Sequence, residues 1–171
     1  MTSIREEDKP WKTDLARKTA QRREQVFTEL EETIKKAGSF EDALKVAVET
    51  LKRKFSRYTG ITAYVADGED LVVHTSLGRP TGPDRVWSGG GPLTDAAHGQ
   101  RPTVVADAGA APAWSAVGLS TGSVMVAPIR TEAGLWAILE VWSDFRDAFT
   151  PHDIRLLERL TGALSRKTPS A

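Results

Sequence analysis

The sequence predicts an α+β domain: an antiparallel sheet of five to six strands, with helices on one face and a loop-covered pocket on the other. Three observations predict it. The first 60 residues hold 14 of the 23 basic and 11 of the 23 acidic residues, but only two of the 14 glycines. A charged, glycine-poor stretch reads as helix, and the glycine-rich, β-branched remainder reads as strands and loops. The segments run helix, helix, strand, strand, long loop region, three strands, helix, and helices at both ends of an antiparallel set cover one face of its sheet. Residues 78–122 carry nine Gly and five Pro, too many for regular structure throughout, so they fold over the other face and leave room for a small molecule.

Each element has its own signal. Trp11, Leu15, Thr19, Val26, Leu30 and Ile34 recur three, four or seven apart, which predicts a first helix over 11–37 stopped by Gly38. Its apolar stripe is sparse for its length. The helix therefore buries little against its own domain and is expected to pack on a second copy. Ser39 caps the next helix, with Asp42 at its third position, and Phe40, Leu44, Ala47, Leu51 and Phe55 mark its apolar face as far as residue 57. The segments 60–66 (GITAYVA) and 71–77 (LVVHTSL) flank a turn and read as a hairpin. A short helix over 93–98 and a strand over 101–107 follow. The segments 123–130 (SVMVAPIR) and 135–143 (LWAILEVWS) form a second hairpin. Thr150, Pro151 and Asp153 open a last helix as cap, first and third residues, with Ile154, Leu157, Leu160 and Leu164 on its buried side. The expected organisation is an N-terminal dimerisation helix over 1–38, a domain over 39–166 and a flexible tail over 167–171.

Composition excludes several functions. A length of 171 residues suits one domain. The absence of Cys removes disulfides, thiolate metal sites and any thiol nucleophile. A net charge of zero argues against general nucleic-acid or acidic-lipid binding. The first residues are charged and do not read as a leader, and no run approaches the roughly 20 apolar residues of a membrane span, so a cytoplasmic protein is expected.

From residue 39 to 164 the chain resembles a GAF domain, the small-molecule sensor relative of PAS domains. The helix over 40–58, the hairpin GITAYVADGEDLVVH and Ser123, Pro128 and Ile129 carry the resemblance. So, most specifically, does the final LWAILEVWSDFRDAFTPHDIRLLERL. Within that family WSGGGPLTDAAHGQRPTVVADAGA is similar to the free methionine-(R)-sulfoxide reductases. Their chemistry uses cysteines, and Leu93 and Val117 fall near two such positions. Their acidic substrate ligands fall near Val124, Glu140 and Trp142, of which only Glu140 keeps a carboxylate. The resemblance thus implies a member without that activity. The Asn-Lys-x-Phe-Asp-Glu arrangement of cyclic-nucleotide-binding members and the Cys of bilin-binding members are missing, and His74 on a strand reads as an ordinary histidine rather than a haem ligand.

The residues themselves offer little catalytic chemistry. His74, His98 and His152 lack partners at metal-ligand spacing, and Ser120, Thr121 and Ser123 lie in no nucleophile motif. The Gly89, Gly90, Gly91 run suits a tight turn in a pocket wall, or an anion cradle, without matching GxGxxG or a P-loop. Strand alternation puts Trp136, Ile138, Glu140 and Trp142 on one face of the last strand, opposite Ala137, Leu139, Val141 and Ser143. An acid among aromatics is costly to bury alone, so Glu140 meets solvent, pairs with an Arg such as Arg130, or binds a ligand's cationic or N–H group. The expected site combines Trp87, Gly90, Gly91, Leu93, Asp107, Trp114, Val117, Val124, Val126, Glu140 and Trp142, with no catalytic residue, no metal and no cofactor that the sequence can name. The reading is a non-catalytic small-molecule sensor acting as a homodimer through a partner protein. The alternatives are an interaction module with a filled pocket and a cysteine-independent enzyme with a His or carboxylate near Gly89–Gly91.

Overall fold

The computed structural model describes residues 10–78, 83–116 and 122–169. Helices α1 (Pro10–Lys36) and α2 (Phe40–Lys54) lead into the hairpin of β1 (Gly60–Asp67) and β2 (Asp70–Gly78). The glycine-rich stretch contributes β3 (Arg85–Trp87), α3 (Pro92–Ala96), β4 (Thr103–Val105) and α4 (Pro112–Ala116). A second hairpin, β5 (Ser123–Thr131) and β6 (Gly134–Ser143), precedes α5 (Pro151–Ser165). The six strands form one sheet in the order β3-β2-β1-β6-β5-β4, with each neighbouring pair antiparallel. The α+β architecture expected from the sequence is the one observed. The additions are two short elements that periodicity cannot detect, β3 and α4, and the strand expected over 101–107 shrinks to β4.

Local chemistry fixes the helix ends. The Asp42 amide donates to the Ser39 side chain at 3.0 Å. At α5, Asp153 Oδ2 accepts from the Thr150 amide (2.8 Å) and hydroxyl (2.9 Å), closing a capping box behind Pro151. The helices cover one face of the sheet. Leu44, Ala47, Val48 and Leu51 of α2, with Leu157, Leu160 and Leu164 of α5, meet Ile61, Ala63, Met125, Ala127, Leu139 and Val141 in one buried cluster. Truncating one of these fully buried leucines to Ala costs about 2–5 kcal/mol.

The first helix divides its role. Val26, Phe27, Leu30 and Ile34 are buried in that same cluster, packed on α2 and α5, so the second half of α1 is spent within its own chain, contrary to the expectation that it buries little there. The first half stands clear, with Leu15 59% exposed. Beyond α5, Lys167 donates to the Lys35 carbonyl at 3.2 Å and pins the chain to the end of α1.

Candidate functional site

The second buried cluster lies on the opposite face. It gathers Tyr64 of β1, Leu71 of β2, Val124 and Val126 of β5 and Ile138 and Trp142 of β6 with Leu93, Ala97, Ala108 and Trp114 from the covering segment. Pairing explains the floor. Thr62 is opposite Glu140, Tyr64 opposite Ile138, Val126 opposite Glu140 and Val124 opposite Trp142, so these side chains share one face of three adjacent strands. Glu140 is 3% exposed at the centre of that face. Burial pushes the Tyr64 phenol up, and the negative charges of Glu140 and Asp84 push it the same way. Tyr64 is therefore held as a neutral hydroxyl. The Thr62 hydroxyl shares a 2.9 Å hydrogen bond with that of Ser76, and the Trp142 indole donates to Asp144 Oδ1 at 3.1 Å.

Of the residues singled out from the sequence, Leu93, Trp114, Val124, Val126, Glu140 and Trp142 come together on this face, all 6% exposed or less. Trp87 does not join them. It ends the three-residue edge strand β3 with its side chain 61% exposed, and its ring lies over the backbone of Gly89 and Gly90, where a Cβ on Gly89 would come within 2.3 Å of it. The glycine run is thus a seat for an indole. Gly91, with φ 110°, turns the chain into α3. Asp107 is half-buried. Its carboxylate accepts from the Ala110 amide at 3.2 Å and stands 3.6 Å from Arg146. Val117 lies outside the described residues.

Two expectations change. Trp136 turns to the helix side, edge-on to Phe40 with ring centroids 6.2 Å apart. The register explains it: Ile129 faces Ala137 but Arg130 faces Leu135, so Trp136 is an extra residue that breaks the alternation. The Arg130 guanidinium donates to the carbonyls of Ala97, His98 and Gly99 at 2.9–3.0 Å. His74 sits at a similar break in β2 and meets the Glu41 carbonyl of α2 at 3.0 Å, on the helix side. Thr62 and Tyr64 were missed, although their spacing in GITAYVA marks one face once the partner strand is known. Among the described residues no group of three or more His, Asp or Glu side chains is placed to hold a metal, and no helix is long and apolar enough to cross a membrane.

This geometry has known counterparts. A free methionine-R-sulfoxide reductase from Neisseria meningitidis, in complex with its substrate, superposes with a TM-score of 0.75 at 22% identity, covering 85% of this chain and 87% of that one. The reduced form of the Staphylococcus aureus enzyme gives 0.76 at 18%, covering 86% and 95%. The GAF domain of a phosphoenolpyruvate-protein phosphotransferase from Coxiella burnetii gives 0.72 at 17%, covering 86% and 93%. A search of curated protein sequences found no match. At these identities the superpositions establish the fold. The GAF domain family model matches residues 37–166, the span holding both hairpins, the covering segment and α5, and the chain belongs to the GAF domain family.

Proposed function

We propose that this chain is a non-catalytic sensor domain that binds a small molecule on the loop-covered face and acts as a homodimer on a partner protein in the cytoplasm. The observation that carries the reading is the polar group of Glu140, Thr62 and Tyr64 on the otherwise apolar face that also holds Trp114 and Trp142. A carboxylate beside a neutral hydroxyl suits a ligand with a cationic or N–H group, and the indoles suit its flat or apolar remainder. The sulfoxide reductases that share the fold suggest a metabolite-sized ligand. A chain without Cys supports recognition rather than their thiol chemistry. Leu15, exposed on the free half of α1, supports the dimer.

The test is a native mass spectrum of freshly purified protein, repeated after denaturation. A two-chain mass with a small increment that disappears on denaturation is expected, and Glu140→Gln should lose the increment. A bare monomer would overturn both halves of the reading. The near-complete burial of Trp114 and Trp142 favours a second reading, an interaction module whose pocket is filled by its own side chains. Two bare chains in the same spectrum would support that one.

A further inference from the structure

Where the middle of α1 meets the end of α2 and the start of α5, on the helix side of the sheet, the surface dips into a groove of about 230 Å³. Arg22, Arg23, Lys54, Ser56 and Arg57 line it. The buried Tyr58–Asp153 pair borders it, and Asp153 is the only acid among the described residues that line it. Both carboxylate oxygens of Asp153 are already occupied, one by the Tyr58 hydroxyl and the other by Thr150. Lys54 pairs with Glu29 at 3.0 Å, whereas Arg22, Arg23 and Arg57 enter no ion pair among the described residues. Arg23 is half-buried. A chain with no net charge thus concentrates four cations around one small concavity against the single carboxylate of Asp153, three of them in no ion pair among the described residues.

We propose that this groove is a second ligand site, independent of the loop-covered face, that holds a small anion of the phosphate class carrying at least two negative charges. Guanidinium groups offer paired N–H donors matched to phosphate oxygens, and charge-assisted bonds of this kind are about twice as strong as neutral ones. The Ser56 hydroxyl adds a neutral donor. The volume falls below the roughly 300–1,000 Å³ of pockets that take organic ligands whole, and suits a phosphate or diphosphate group. The site lies against α1 and α5, so an anion there stitches together the helices that pack on the sheet.

Calorimetric titration with inorganic pyrophosphate tests this, with sodium chloride adjusted to constant ionic strength. Saturable binding at one per chain is expected, weakened tenfold or more by Arg57→Gln and by Arg23→Gln and unchanged by Arg146→Gln, which alters an arginine beside Asp107 instead. Arg57 is exposed, so its variant should keep the unliganded melting temperature and isolate binding from folding. Glu140→Gln should leave pyrophosphate binding intact, which separates this site from the other. No saturable binding, binding by both groove variants as tight as the parent's, or tighter binding of a polyglutamate peptide would each overturn the assignment, the last by making the groove a dock for an acidic protein segment.

Discussion

The Tyr58 hydroxyl donates to Asp153 Oδ1 at 2.6 Å, joining residues 95 apart in sequence, both 2% exposed. The bond ties the segment between α2 and β1 to the first turn of α5. Tyr58 also packs on Phe55, with ring centroids 4.7 Å apart, and on Phe149. A hydrogen bond to a buried carboxylate contributes about 1.5–3 kcal/mol. Tyr58→Phe should therefore lower stability by about that amount. Asp153→Ala should cost more, because it also strips the acceptor from the Thr150 amide and hydroxyl. Urea unfolding of the two variants measures the difference, and equal losses would contradict the shared role given to Asp153.

High pH provides a second test. The chain has two tyrosines, Tyr58 and Tyr64, and both phenols are pushed above their ordinary value of 10.0, mainly by burial and further by neighbouring carboxylates. The folded state then holds protons that the unfolded chain releases above about pH 10, so stability is fully present below that pH and falls as pH rises past it. The slope approaches about 1.4 kcal/mol per pH unit for each tyrosine. Absorbance near 295 nm should show no tyrosinate before unfolding, and Tyr58→Phe should flatten the loss. Ionisation of both phenols in the folded protein near pH 10 would refute this.

Trp136 presents the opposite case. Its indole N–H is buried without a hydrogen-bond partner among the described residues. An unsatisfied buried donor costs about 1–3 kcal/mol. Trp136→Phe removes that donor and keeps an aromatic ring against Phe40, so it should stay within about 1 kcal/mol of the parent, whereas Trp136→Ala should lose about 3 kcal/mol or more. Thermal denaturation of the pair decides the point.

Gly122 and Gly68 both have positive φ, 89° and 63°, yet they should respond differently to alanine. A Cβ on Gly68 meets nothing within 4 Å, so only the left-handed conformation is penalised, at about 1 kcal/mol. On Gly122 the Cβ would fall 2.0 Å from the Ser143 carbonyl, so the start of β5 has to move as well. Gly122→Ala should cost at least twice as much as Gly68→Ala in chemical denaturation.

The elements with strong local signals were legible in the sequence. Ser39, Thr150 and Asp153 marked helix starts, and the alternation in 123–130 gave the right faces. Legibility failed where geometry depends on pairing. One extra residue opposite Ile129 and Arg130 sent Trp136 to the helix side, and no periodicity in β6 alone carries that information. The sparse stripe of α1 hid Phe27, which lies off the strict spacing but is buried and lies 3.6 Å beneath the Arg159 guanidinium. At the candidate site Glu140 and Trp142 were readable from one strand. Thr62 and Tyr64 became visible only once β1 was known to lie beside β6, a contact between segments about 75 residues apart. The outward turn of Trp87 follows from its place on an edge strand whose existence three residues cannot announce.

Arg130 offers the most direct handle on the covering segment. It leaves β5 and reaches three consecutive carbonyls, Ala97, His98 and Gly99, at the end of α3, while its own carbonyl accepts from Ser165 of α5 at 2.6 Å. A guanidinium against the carbonyls of the turn that follows a helix satisfies acceptors that no backbone ladder occupies. The same segment is tied to α5 by Arg101 and Glu158 at 2.6 Å, but Arg101 is mostly exposed and such a pair contributes little. Arg130→Ala should loosen the segment locally without unfolding the domain. Hydrogen exchange at the Ala97 amide, which donates to the Leu93 carbonyl, should speed up tenfold or more, while β1 and β2 keep their rates. Arg101→Ala should change the same amide far less. If the two variants loosen α3 equally, the exposed ion pair holds the covering segment as firmly as Arg130 does, and the primary role given to Arg130 fails.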